Sequence, residues 1–171
     1  MRYGNVFGSR GSVVPLFIKK RKSGILPITN KEMTRFSVTL KEGAEMVLWA
    51  LKNSKGGEIF VPKLPSYNII DLAKTICPKC KLKNIGIRPG EKIHEEMITV
   101  SDSLNTVDLG IYYAILSSSG KYSVEEYCQN FGGVAVGEDF SYNSGTNPDF
   151  LTIKQLSNLI KKEVDPDFEP I

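Results

Sequence analysis

One histidine and three cysteines occur among 171 residues, which leaves little from which to build a metal centre or a disulfide scaffold. An odd cysteine count argues against a disulfide framework. Cys77-Pro78-Lys79-Cys80 has the spacing of half a zinc site, but a closed site needs two more ligands. Only Cys128 and His94 remain, with no second closely spaced pair. Cys77 and Cys80 are therefore expected as incidental thiols in a turn, and no metal is expected. His94 has Glu91, Glu95 and Glu96 nearby in sequence but no nucleophile, so it is expected at the surface rather than as a general base.

Long apolar runs are also missing. With 41% hydrophobic and 24% charged residues, the composition is that of a globular protein. No stretch approaches the roughly 18 apolar residues of a membrane span. Met1 is followed by Arg2-Tyr-Gly-Asn5 without the apolar segment and cleavage site of a secretory signal, which leads to the expectation of a cytoplasmic protein. The net charge of +3, from 22 basic and 19 acidic residues, gives little non-specific pull on nucleic acid. The densest cluster, Lys19-Lys-Arg-Lys22, stands where a helix over 13–18 should end and complements the negative end of its dipole.

What is present alternates between helix and strand signals. Ala44, Val47, Leu48 and Leu51 recur at i, i+3, i+4 and i+7 and predict a helix with one apolar stripe packed against the rest of the fold. Ser66 is the expected cap of a second helix that buries Ile69, Leu72, Ala73 and Ile76 and stops at Pro78. Thr152 and Gln155 form a capping box for a third, which buries Ile153, Leu156 and Ile160. Strands are expected over 58–61, 82–87 and 111–116. Residues 142–148 read as a loop, and 165–170 as a frayed tail. The alternation favours an α/β or α+β fold over a bundle.

The opening run carries the clearest local signal. Asn5 and Val6 would end a buried strand, a glycine-rich loop follows, and Ser12 can cap a helix with Pro15 in its first turn. Arg10 lies in that loop. Arg88 stands before Pro89-Gly90 at the end of an expected strand, where open α/β sheets bind ligands, and its planar fork suits a diphosphate. The competing reading is an arginine in a turn, paired with local carboxylates.

The blocks Arg2-Tyr-Gly-Asn-Val6, Gly8-Ser-Arg-Gly-Ser-Val-Val-Pro15, Leu26-Pro-Ile-Thr29, Met33-Thr-Arg-Phe36, Gly56-Gly-Glu-Ile-Phe-Val-Pro-Lys63, Gly86-Ile-Arg-Pro-Gly-Glu-Lys-Ile-His-Glu95 and Phe140-Ser-Tyr-Asn-Ser-Gly-Thr-Asn147 stand in this order. Together they resemble the C-terminal half of the inverting UDP-N-acetylglucosamine 4,6-dehydratases, extended short-chain dehydrogenase/reductases of bacterial polysaccharide and nonulosonic acid biosynthesis. Ser37 stands where that family usually has tryptophan, and residues 117–136 match weakly.

The resemblance implies an α/β fold made of the end of a Rossmann sheet (residues 1–22), a smaller α/β substrate-binding domain (23–116) and a C-terminal loop and helix region (117–171). It implies that Val6, Phe7, Gly8, Ser9 and Arg10 line an NADP cofactor. Asn5, Val13, Thr29 and Arg88 would contact UDP-N-acetylglucosamine or a related UDP-sugar, with Arg88 on the diphosphate. In the family, NADP takes hydride from C4 of the sugar, the ketone acidifies the C5 proton, the C6 hydroxyl leaves, hydride returns to C6, and reprotonation from the other face inverts C5.

The family's dinucleotide loop, its Tyr-x-x-x-Lys pair and its elimination acid and base lie upstream of the Arg2-Tyr-Gly-Asn-Val6 block, so no catalytic residue is expected here. The glycines at 8 and 11 do not replace that loop, since the preceding strand is too short and the spacing differs. The chain is accordingly expected to be an inactive, substrate-binding portion, completed by a separately encoded Rossmann half or acting as a homo-oligomer. A fragment of a UDP-sugar 4-epimerase and a non-catalytic UDP-sugar binding module are the alternatives. Without neighbouring strands, Val6, Val13 and Phe17 are expected to be exposed and to promote aggregation.

Overall fold

The computed structural model describes residues 1–171. In chain order the elements are β1 (Asn5–Val6), α1 (Val13–Lys20), a 3-10 turn (Arg21–Ser23), β2 (Ile25–Ile28), β3 (Thr34–Val38), α2 (Leu40–Asn53), β4 (Ile59–Pro62), β5 (Ser66–Asn68) and α3 (Ile69–Ile76). There follow β6 (Lys81–Asn84), β7 (Glu96–Ile98), α4 (Val100–Ser103), β8 (Thr106–Asp108), β9 (Tyr112–Ile115), α5 (Val124–Phe131), β10 (Val134–Ala135), β11 (Tyr142–Asn143) and α6 (Ile153–Glu163). The α/β expectation holds. None of the helices is long and apolar enough to cross a membrane.

The chain divides into two compact units, each assembled from three separated stretches. The first comprises residues 5–39, 65–95 and 144–171. Its three-stranded sheet has the order β1-β3-β5, with β1 parallel and β5 antiparallel to β3. A parallel pair, β2 and β6, aligns Ile25 with Lys81 and Ile28 with Asn84. Helices α1, α3 and α6 share one apolar core with these strands, built on Phe17, Leu26, Ile28, Leu72, Ile76, Leu156 and Ile160.

Helix α3 buries Ile69, Leu72, Ala73 and Ile76, the face that its spacing predicts, and Pro78 follows its end at Cys77. Its cap is Asn68, whose Oδ1 accepts from the Ile70 N–H at 2.7 Å; Ser66 lies instead in β5, buried. Helix α6 has the expected Thr152–Gln155 capping box and buries Leu156 and Ile160, but Ile153, in its first turn, is exposed. Phe17 is 1% exposed, against the expectation of an uncovered side chain, because α3, α6 and the C-terminal segment close over α1. Val6 and Val13 are half-buried.

The tail is not frayed. Phe168 is fully buried, the Arg21 guanidinium lies 5.3 Å from its ring centre, and an Arg21 nitrogen donates to the Glu169 carbonyl at 2.8 Å. Cys77 and Cys80 are joined in a disulfide rather than standing as free thiols, which leaves Cys128 as the free cysteine. The turn after α3 brings their Cα atoms to 5.3 Å, within bonding range. The predicted strand over 82–87 is shorter and earlier, since β6 runs Lys81–Asn84 and the chain then leaves the pair.

The second unit comprises residues 1–4, 40–64 and 96–143. Its antiparallel sheet has the order β10-β8-β9-β4. The expected strands over 58–61 and 111–116 are β4 and β9. Phe60, Val107, Ala114 and Leu116 form a core with Ala50 of α2 and Tyr127 of α5. Trp49 stacks on Tyr112 at 4.2 Å and meets Phe60 edge-on at 5.1 Å. Helix α5 begins with a Ser123–Glu126 capping box.

Helix α2 exists where the periodicity places it but turns the other way. It buries Met46 and Ala50, while Leu48 is 67% and Leu51 76% exposed. Ala44 and Val47 are exposed as well. The helix is apolar on more than one face; Trp49 and Ala50 pack into the core of the sheet, and Met46, one turn before Ala50, is buried too. Residues 142–148, read as a loop, contribute β11, which pairs with β7, and the buried Ser144 and Asn147.

Candidate functional site

A cavity of about 230 Å3 opens in the first unit. Its floor begins at β1. Parallel pairing with Ser37 and Val38 fixes Asn5 and Val6, and the Phe7 N–H then donates to the Val38 carbonyl at 2.8 Å. The chain next turns sharply: Ser9 N–H bonds the Val6 carbonyl at 3.2 Å and Ser12 N–H bonds the Ser9 carbonyl at 3.0 Å. Gly8 at φ 70° and Gly11 at φ 81° supply the left-handed conformations that this turn needs. The turn delivers the N-terminus of α1 to the cavity, with Ser12 at its N-cap and Val13, Val14 and Phe17 along the wall.

Ser12 does not cap α1 through its side chain. Its Oγ is buried and has no hydrogen-bond partner, while Ser12 as a residue stands along the cavity wall.

The opposite wall comes from the ends of β2 and β6. Thr29 donates its hydroxyl to the Met33 sulfur at 3.2 Å, and both line the cavity. Beyond β6 the chain makes a turn at Arg88-Pro89-Gly90-Glu91. The Glu91 N–H donates to the Arg88 carbonyl at 3.0 Å, the Arg88 N–H donates to a Glu91 carboxylate oxygen at 3.0 Å, and Gly90 has φ 82°. Proline followed by a positive-φ glycine is the chemistry of a tight turn. It holds an exposed Arg88 and a half-buried Glu91 at the rim.

Behind the cavity lies a polar network. The Glu95 carboxylate accepts from the Phe36 N–H at 3.0 Å and stands 3.8 Å from the Arg35 Nε. Burial pushes the Glu95 carboxyl above the usual carboxylate range, and the Phe36 N–H and Arg35 offset this only in part. Arg35 also donates to the carbonyls of Thr34 (2.6 Å) and Ile93 (3.0 Å). Tyr67 lines the cavity, meets Phe7 edge-on at 6.0 Å, and has its hydroxyl pKa raised by burial and by the nearby Glu95 charge. His94 is not a free surface side chain. Its Nδ1 shares a hydrogen bond with Thr34 Oγ1 at 2.8 Å, and its ring lies against Gly145.

The structure thus brings Asn5, Val6, Phe7, Gly8, Val13, Thr29 and Arg88 to a single cavity, whereas Ser9 and Arg10 are exposed and outside its lining. Sequence reasoning missed Ser12 as a lining group, together with Met33, Arg35, Tyr67 and Glu91. The one available signal was the Met33-Thr-Arg-Phe36 block, whose strand the periodicity did not reveal. No group of three or more His, Cys, Asp or Glu side chains could hold a metal ion.

Residues 1–117 match the family described as polysaccharide biosynthesis protein. Over 167 residues the chain is 44% identical to a UDP-N-acetylglucosamine 4,6-dehydratase (inverting) of Campylobacter jejuni, covering 93% of this chain and 49% of the relative. It is 37% identical over 161 residues to a UDP-glucose 4-epimerase of Rickettsia canadensis, covering 91% of this chain and 47% of the relative. Among solved structures, the X-ray structure of Pen from Bacillus thuringiensis superposes with a TM-score of 0.77 at 32% identity, over 93% of this chain and 48% of that one. The chain therefore spans about half the length of the curated relatives it matches.

Proposed function

The chain belongs to the polysaccharide biosynthesis protein family, and from that footing we propose that its cavity is the sugar-nucleotide side of an NADP-dependent, C5-inverting UDP-N-acetylglucosamine 4,6-dehydratase. The observation that carries this reading is convergence. Asn5, Val13, Thr29 and Arg88, far apart in sequence, line one cavity. Arg88 offers a planar fork to the diphosphate, and Val13, Val14 and Phe17 an apolar wall for a ring.

Val6, Phe7 and Gly8 form the strip of wall against which NADP would lie, and the exposed, cationic Arg10 just beyond suits an anionic cofactor. NADP, when bound, supplies the redox step at the sugar. The residues of this chain bind and orient the UDP-sugar. In the family that the chain resembles, the groups that move protons and hydride lie upstream, and we assign them to the half of the relatives' length that this chain does not match. Loss of water makes the complete enzyme a lyase, and we place it in the cytoplasm.

Calorimetry with UDP and UDP-N-acetylglucosamine tests the reading. Saturable binding that weakens in Arg88→Ala is expected, and absence of binding to both nucleotides sinks it. The 37% identity to the Rickettsia protein favours a second reading, a UDP-sugar 4-epimerase. The two separate on the product of the enzyme completed with the relatives' unmatched half: the dehydratase product lacks the C6 oxygen, and the epimerase product keeps it.

A further inference from the structure

We propose that Glu95 is a positioning residue for this cavity, fixing which end of the Asn5 amide faces the ligand and holding Arg35 in place beside it. The inference rests on the sugar-nucleotide reading of the cavity, and it names a residue to which that reading gives no role. With its amide nitrogen turned to Glu95, the orientation that pairs donors with acceptors, Asn5 donates to both carboxylate oxygens, to Oε2 at 3.2 Å. Amide orientation follows from such pairing. The end of Asn5 turned away from Glu95 is then the carbonyl oxygen, an acceptor, which suits a hydroxyl or amide N–H of a sugar. The same carboxylate accepts from Phe36 N–H at 3.0 Å and faces Arg35 Nε at 3.8 Å, so one side chain ties β1 to β3 behind two cavity-lining residues.

The Glu95 backbone is held independently of its carboxylate. Its N–H donates to Ser144 Oγ at 2.8 Å, its carbonyl accepts from Ser144 N–H at 2.8 Å, and Ser144 Oγ is bonded to Thr34 Oγ1 at 2.7 Å. Glu95→Gln should therefore keep the fold while losing the charge and one of the two acceptor oxygens. The titratable or charged groups facing Glu95 are Arg35 and the Tyr67 hydroxyl, with His94 adjacent in the chain and bonded to Thr34. Of these, Tyr67, whose hydroxyl pKa is raised by burial, stays neutral through the acid range.

Two measurements test the proposal. In a 15N-labelled sample, the Asn5 side-chain amide signal should move with pH as Glu95 ionises, at a pH above the ordinary glutamate range, and should stop doing so in Glu95→Gln. An Asn5 amide that ignores pH in the unaltered chain, or that still titrates in the variant, overturns the contact. By calorimetry with UDP-N-acetylglucosamine, Glu95→Gln should bind about 5-fold more weakly at neutral pH. The acid-side weakening shown by the unaltered chain should be flattened, with circular dichroism and melting temperature retained. Equal affinity and an unchanged pH profile overturn the positioning role. If the unaltered chain binds no nucleotide, the functional reading fails, and the amide titration still decides whether Glu95 orients Asn5.

Discussion

Arg2 reaches Asp102 across 100 positions of sequence: its guanidinium donates to the Asp102 carboxylate at 3.0 Å, and the same nitrogen donates to the Met97 carbonyl at 2.7 Å. Burial pushes the Asp102 carboxyl up, but the Thr99 N–H and hydroxyl and Arg2 together bring it below the usual aspartate value. A depressed acid contributes stability that is present above its unfolded value near 3.8 and is lost as pH falls through the folded one. Arg2→Ala is therefore expected to lower the melting temperature by about 2–4 °C at pH 7 and by much less once the pH has fallen below the folded Asp102 value. Thermal melts across that range check it, and an equal loss at both pH values would falsify the pairing.

The link between Arg2 and Asp102 also shows what the sequence made legible. Local signals survived: the apolar face of α3, the Thr152–Gln155 box and the glycines that turn the chain between β1 and α1 each depend on neighbours within a few residues. Long-range pairing did not. Strand β3 was missed because Thr34, Phe36, Ser37 and Val38 are all buried, so its pattern lacks the alternation of a half-exposed strand. With β3 unseen, Arg35 and Glu95 had no reason to meet, and the network behind the cavity stayed hidden. An odd cysteine count says nothing of how closely a turn brings two Cα atoms, so the Cys77–Cys80 disulfide is not legible from it.

Helix α2 supplies a second test. Periodicity marks Val47, Leu48 and Leu51 as its packed face, yet Met46 and Ala50 are the buried ones. Met46→Ala should destabilise by about 2–5 kcal/mol. Leu48→Glu with Leu51→Glu should leave the unfolding midpoint within about 0.5 kcal/mol of the parent and reduce self-association. Denaturant titration and light scattering measure both. A large stability loss in the double glutamate variant would mean that this face is covered within the chain.

Phe168 makes the C-terminal segment part of the core. It is fully buried with Leu156 and Ile160, and Arg21 covers its ring. Phe168→Ala should cost about 3–5 kcal/mol, the range for truncating a buried aromatic ring. Replacing Lys161, whose ammonium pairs with Glu169 at 2.7 Å on an exposed surface, should cost less than about 1 kcal/mol. Urea unfolding of the two variants distinguishes a docked segment from a loose one: similar midpoints for both would count against docking.

Arg88 gives the sharpest test of the cavity, because charge and geometry can be separated there. If the guanidinium grips a diphosphate through two parallel N–H···O bonds, lysine keeps the charge but loses the fork. Arg88→Lys should then weaken UDP binding by about 10-fold, and Arg88→Ala by roughly 10–100-fold. Uridine, without phosphates, should bind all three proteins alike. The Arg88-Pro89-Gly90-Glu91 turn is made by backbone atoms and the Glu91 carboxylate, so neither variant should change the melting temperature appreciably. Calorimetry at two salt concentrations completes the argument. An exposed cation on a polyanion loses affinity as salt rises, so the unaltered chain should show a steeper salt dependence than Arg88→Ala. Equal slopes would place the diphosphate away from Arg88.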